Sequence, residues 1–186
     1  MRRYLYVWDD VPVGQSQHDV WGAAYDSPVG GTKVSYFCNY AGEGSIPCPC
    51  SNDGAAGNGC GNSVFAVGAR LTATGDASAS ADSLVLVGTN LPNGPALYFQ
   101  GTATSANYFG DGFLCVSGAI LRLGIKTASL NTSSYPQAGD PSISAQGLIP
   151  TAGGTRYYQA WYRDAATYCT TATYNLTQGV IVDWTN

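Results

Sequence analysis

The chain reads as an all-β protein, and three observations predict it. Charged residues make up 11% of its 186 positions, against roughly a quarter in an ordinary globular domain. Glutamate occurs once, at Glu43, and lysine only at Lys33 and Lys126, so the residues that usually clothe helix surfaces are scarce. In their place stand 24 glycines, 13 tyrosines and tracts of Ser, Thr and Ala, the vocabulary of short strands and tight turns. Short apolar or alternating runs then recur along the chain: Thr32–Phe37, Ala69–Thr74, Leu84–Gly88, Ala96–Gln100, Phe113–Val116, Ile120–Thr127, Ile143–Gln146, Arg156–Arg163 and Thr173–Trp184. Most are bounded by Gly, Pro, Asn or Asp, as at Asn90–Pro95 and Gly110–Gly112. Strands at this spacing predict an antiparallel β-sandwich, jelly-roll-like, over residues 37–186. Asp164–Tyr168 is the one stretch that suggests a helical turn, and no repeat period is visible.

Six cysteines punctuate this region: Cys38, Cys48, Cys50, Cys60, Cys115 and Cys169. No C-x-x-C pair occurs, and the only histidine, His18, lies well before the cluster, so a zinc site is a poor fit. An even count fits disulfides, and disulfides belong to an oxidising, extracytoplasmic compartment. Cys48 and Cys50 flank Pro49, and alternation along an extended segment would send both to the same side. The simplest pairing is Cys38–Cys48, Cys50–Cys60 and Cys115–Cys169, although six cysteines allow 15 connectivities.

Residues 1–36 form a segment of different character. Tyr4, Leu5, Tyr6, Val7 and Trp8 make a strand-like run with bulky apolar groups on both faces, followed by Asp9, Asp10 and a polar linker, Gly14–Asp19. A terminal strand apolar on both faces is an aggregation hazard unless a sheet receives it. Either it pairs within its own sandwich or residues 2–13 insert into a neighbouring subunit as a donor strand, with the linker supplying reach.

Several function classes are excluded or left without support. A net charge of −4 with no basic run argues against nucleic acid. No apolar run approaches the 18 or so residues that span a bilayer. Met1-Arg2-Arg3 begins like the n-region of a secretory signal, but Tyr4–Val13 holds Asp9 and Asp10 and is no h-region, which leaves export by another route or through a leader outside this chain. Catalysis is not expected: His18 stands in a polar linker, and Glu43 and the turn aspartates signal no acid–base pair. Ser51–Gly54 and Gly110–Gly112 carry oxygen groups in turns without the alternating acids and closing Glu of a calcium loop, so neither a metal nor a cofactor is expected.

Two features bear on carbohydrate. Tyr157, Tyr158, Trp161 and Tyr162 crowd one strand, and alternation puts Tyr157 and Trp161 on one face, a candidate sugar platform, with Tyr158 and Tyr162 on the other. The sequons Asn131-Thr132-Ser133 and Asn175-Leu176-Thr177 make Asn131 and Asn175 candidate glycosylation sites.

From about Phe37 onward the chain resembles a family of secreted β-sandwich modules of environmental bacteria. The likeness rests on Cys48-Pro49-Cys50, Gly57–Ser63, Ala96–Gly101, Phe109–Cys115, Arg122-Leu123-Gly124 and Tyr158–Asp164. The resemblance implies a secreted module without enzymatic activity. The aromatic arm departs from the family pattern, in which the module follows another domain, and a free-standing module with an arm resembles the protomer of a pilus-like filament. The expected function is therefore a cell-surface structural subunit that polymerises with copies of itself. A carbohydrate-binding or adhesion module is the alternative.

Overall fold

The computed structural model describes residues 32–38 and 46–186. The arm Tyr4–Trp8, the candidate donor strand 2–13, His18 and Glu43 lie outside the described residues.

The described chain is all-β apart from one helical turn. Its strands are β1 (Lys33–Phe37), β2 (Arg70–Thr74), β3 (Val85–Thr89), β4 (Gly94–Gly101), β5 (Ala103–Phe109) and β6 (Gly112–Ser117). These are followed by β7 (Leu121–Ala128), β8 (Thr132–Tyr135), the helical turn α1 (Ile143–Gln146), β9 (Gly154–Arg163), β10 (Tyr174–Leu176) and β11 (Gly179–Trp184). The main sheet runs β1-β11-β9-β4-β7, with β10 also paired to β9. A second sheet, β2-β3-β8, faces it, and β5-β6 form a separate ribbon. All these ladders are antiparallel.

Alternation explains which side chains fill the sandwich. Along β9, Tyr158, Ala160 and Tyr162 point inward and join Tyr98 of β4, Val180 and Val182 of β11, and Tyr36 of β1. From the second sheet come Leu71, Ala73, Leu86 and Tyr135. The opposite residues of β4, β9 and β10 face the ribbon, where Phe99, Val116 and Leu176 form a smaller core. β4 is thus buried on both faces, as its apolar run without alternation requires.

Several expectations need correction. Ile143–Gln146 is a helical turn, not a strand; Ser142 caps it by accepting a hydrogen bond from the Ala145 N–H at 3.3 Å. Asp164–Tyr168 forms no helical turn. Thr173–Trp184 is two strands, β10 and β11, separated at Thr177–Gln178. β5 and β8 were not expected: both are rich in Ser, Thr and Asn, with β5 lying on the surface and β8 packing Tyr135 into the core. β1 pairs with β11 from Lys33 onward, so the sandwich begins before the boundary placed at residue 37.

The disulfides differ from the expected set. Cys38 pairs with Cys115, Cys48 with Cys60, and Cys50 with Cys169, and no cysteine is free. The error lies at Pro49. The segment Cys48–Ser51 is a turn rather than extended: the Ser51 N–H donates to the Cys48 carbonyl at 3.0 Å, and Ser51 takes φ 57°. Alternation does not apply across such a turn, and Cys48 rather than Cys50 meets Cys60 while Cys50 reaches Cys169. The result ties the segment before β2 to β6 and to the loop before β10, closing loops with sequence separations of 77 and 119 residues. Three disulfides with no free thiol fit an oxidising, extracytoplasmic environment.

Candidate functional site

Buried amides do much of the joining between sheets. Gln159, on β9, is fully buried and faces the ribbon; its Oε1 accepts from the Cys115 N–H at 3.0 Å. Its Nε2 donates to the carbonyls of Phe113 at 2.8 Å and Thr177 at 2.7 Å. One side chain thereby replaces a strand ladder between β9 and β6. Gln178 does the same between sheets, accepting from the Leu71 N–H at 2.9 Å and donating to the Leu71 carbonyl at 2.5 Å.

A second polar network surrounds the Cys50–Cys169 bridge. Asn52 Nδ2 donates to the carbonyls of Gly61 and Asp111. Asp111 Oδ1 accepts from both the N–H and the hydroxyl of Thr170, at 2.7 and 2.6 Å. Asp164 accepts from the Ser63 N–H at 2.8 Å and from the Ser63 hydroxyl. Asp53 accepts from the Cys48 N–H at 2.8 Å. These carboxylates organise backbone turns, and among the described residues no cluster of three His, Cys, Asp or Glu side chains converges.

The tyrosines of β9 divide as alternation requires. Tyr158 accepts a hydrogen bond from the Trp184 indole N–H at 2.8 Å, and Tyr162 one from Asn62 Nδ2 at 3.2 Å. Burial pushes both phenols well above the ordinary tyrosine range, the hydrogen bonds offsetting only part of that. On the other face, Tyr157 and Trp161 do not form one platform. Between them lies Gln159, covered by the ribbon, so each packs on a different flank. Tyr157 meets Phe37 edge-on at 5.7 Å. Trp161 meets Tyr174 at 5.7 Å, and Tyr174 meets Phe109 at 5.0 Å.

The aromatic row Trp161–Tyr174–Phe109 is therefore the group the sheet assembles, and the sequence pointed only to its first member. Tyr174 is paired in register with the exposed Arg163, and Phe109 ends β5 at 42% exposure. Gly110 makes the packing feasible: at φ 62°, a Cβ there would stand 2.4 Å from the Tyr174 ring. Across the main sheet the row continues, Leu176 opposite Trp161, Trp161 opposite Leu97, and Leu97 opposite Ile125.

The two sequons fare differently. Asn175 is fully buried, its Nδ2 donating to the Gly61 carbonyl at 2.9 Å and its Oδ1 accepting from Leu176 N–H, so the folded protein offers no acceptor there. Asn131 sits in the β7–β8 turn, half-buried, with Nδ2 donating to the Leu91 carbonyl at 3.0 Å. The hydroxyl of its sequon, Ser133, is buried against the Tyr98 hydroxyl at 2.8 Å.

No protein-family model, curated protein or solved structure matches the chain. Fold and chemistry thus define its class, an all-β, disulfide-stapled sandwich. No helix among the described residues is long and apolar enough to cross a membrane.

Proposed function

We propose that the protein is a structural subunit of an extracellular filament, in which the segment Tyr4–Trp8 of one copy adds a strand to the sheet of the next. The observation that supports this is the main sheet itself, whose outermost strands among the described residues are β1 and β7. The core between the sheets is already filled, so the addition is an edge augmentation rather than the filling of a groove. A contact of arm with edge joins two different surfaces, and its repetition makes an open helical fibre. Full burial of five large side chains would contribute on the order of 8–12 kcal/mol, and an edge strand that covers about half of that surface contributes about 4–6 kcal/mol before entropic costs. Deleting residues 2–13 and imaging the protein by electron microscopy tests the reading: filaments vanish if the arm is the connector, and filaments of normal length refute it.

The row Trp161–Tyr174–Phe109 favours a second reading, a carbohydrate-binding or adhesion module in which an exposed ring stacks on a sugar. It predicts a monodisperse protein that binds a glycan array and loses binding on Phe109→Ala while remaining folded. Absence of any array binding rejects it.

A further inference from the structure

We infer that the outer face of the main sheet binds a uronate-bearing saccharide, its rings laid on the aromatic row and its carboxylates held by Arg163 and Arg122. This rests on the carbohydrate reading above and names the ligand class. Alternation sets the face: Trp161 and Arg163 leave β9 on the side opposite the core residues Tyr158, Ala160 and Tyr162. Register carries that side across the sheet, with Tyr174 opposite Arg163, Leu97 opposite Trp161, Ile125 opposite Leu97 and Arg122 opposite Phe99.

Charge on this face runs against that of the chain. The protein carries a net charge of −4, yet β4, β7, β9 and β10 contain no Asp or Glu. Arg122 and Arg163 are both exposed. Among the described residues the one salt bridge is Lys126–Asp140, and neither arginine's guanidinium has an ion-pair or hydrogen-bond partner. Asp164, next in the chain to Arg163, is fully buried and accepts from the Ser63 N–H at 2.8 Å. Gly94 leaves room around Arg163: a Cβ there would meet only the Arg163 Cβ, at 3.9 Å. Unpaired guanidinium groups beside an apolar floor complement a ligand that carries carboxylates on apolar-faced rings.

The rings supply the other half of the recognition. Phe109, 42% exposed, packs on Tyr174 at 5.0 Å, and Tyr174 on Trp161 at 5.7 Å. A pyranose ring offers a C–H face to such a surface and turns its polar substituents to the rim. Arg163 is the register partner of Tyr174, so its side chain starts about 5 Å from that ring's own Cβ. A planar carboxylate on a stacked sugar then meets the planar guanidinium with two parallel hydrogen bonds.

Register also sets the size of the ligand. Arg122 lies opposite Phe99, and Phe99 opposite Gln159, which is four residues before Arg163 on β9. The two arginines are thus separated by two strand spacings across the sheet and four residues along it, roughly 16 Å between Cα atoms. That span exceeds one sugar ring and calls for a short oligomer. Leu97 and the 67% exposed Ile125 form the floor between the two charges.

Calorimetric titration of the full chain with oligogalacturonate, its methyl ester and a sulfated oligosaccharide, beside a neutral glycan array, tests this. Oligogalacturonate should bind about tenfold more tightly than the ester, whose rings are the same and whose carboxylates are masked. The double variant Arg163→Gln/Arg122→Gln should lose about tenfold in affinity for oligogalacturonate. Its thermal midpoint should stay unchanged, because neither guanidinium has a partner to lose among the described residues. Arg156→Gln, which alternates to the opposite face of β9, should leave the affinity unchanged. Equal binding of acid and ester, unchanged affinity in the double variant, tighter binding of the sulfated sugar, or binding to neutral glycans alone overturns the uronate and leaves the carbohydrate reading standing. No binding to any saccharide overturns both.

Discussion

Replacing Gln159 with leucine isolates the most unusual joint in the fold. The side chain satisfies three backbone groups at 2.7–3.0 Å while being fully buried. Leucine keeps the volume and removes every partner at once. The stranded Cys115 N–H then costs about 2–3 kcal/mol and the two carbonyls, each with a second lone pair, about 1 each. Leucine's own burial recovers part of this, leaving a net loss of about 3–4 kcal/mol from a total of roughly 5–15. With a slope near 4 kcal/mol/M in guanidinium, the midpoint should fall by about 1 M. Gln100→Leu is the internal control: it is equally hidden but makes one bond, to the Gly147 carbonyl, and leaves its Oε1 unpaired, so its loss should stay within about 1 kcal/mol. Hydrogen exchange should also show residues 112–117 opening ahead of the main sheet in Gln159→Leu, still tethered by Cys38–Cys115. Equal midpoints for the two variants, or a loss below 1 kcal/mol for Gln159→Leu, would refute the claim that this amide replaces a ladder.

Three further outcomes follow from the same structure. Tyr98, Tyr158 and Tyr162 have phenols raised by burial, so the unfolded chain releases its tyrosine protons first. Their stabilisation is intact below about pH 10 and is lost as pH rises toward the folded values, by up to about 4 kcal/mol per pH unit for three groups, with tyrosinate absorbance appearing together with unfolding. Non-reducing peptide mapping should recover Cys38–Cys115, Cys48–Cys60 and Cys50–Cys169; on the chain-entropy model, removing them costs about 4.5, 3 and 5 kcal/mol respectively. Leu130→Asn alone should raise the thermal midpoint, by the equivalent of about 0.5–1 kcal/mol, because it relieves a left-handed leucine with no packing to lose.

The fold class was legible because composition and alternation both report on a sheet with one buried face. β2 and β3 read cleanly from Leu71 and Leu86, whereas Val180 and Val182 marked β11 only as part of one long run with β10. β5 escaped because its side chains mostly face water and carry no apolar period, and β8 because Thr-Ser-Ser-Tyr packs through a single ring. Ile-Ser-Ala-Gln alternates like a strand, and only the preceding Ser142 hints at a helix start. The cysteine pairing was not legible, since it depends on the turn at Cys48–Ser51 and on contacts between residues far apart in sequence. Of the candidate platform, Trp161 was found and Tyr174 and Phe109 were not, because the ribbon that splits Tyr157 from Trp161 is a tertiary feature.

The filament claim is tested most directly by the mass of the full-length chain, measured by light scattering over a dilution series. The account predicts an open-ended ladder of species above the 19.3 kDa protomer, growing with concentration and collapsing to the protomer when residues 2–13 are removed. A single 19.3 kDa species at every concentration, or a dimer that grows no further, would contradict it.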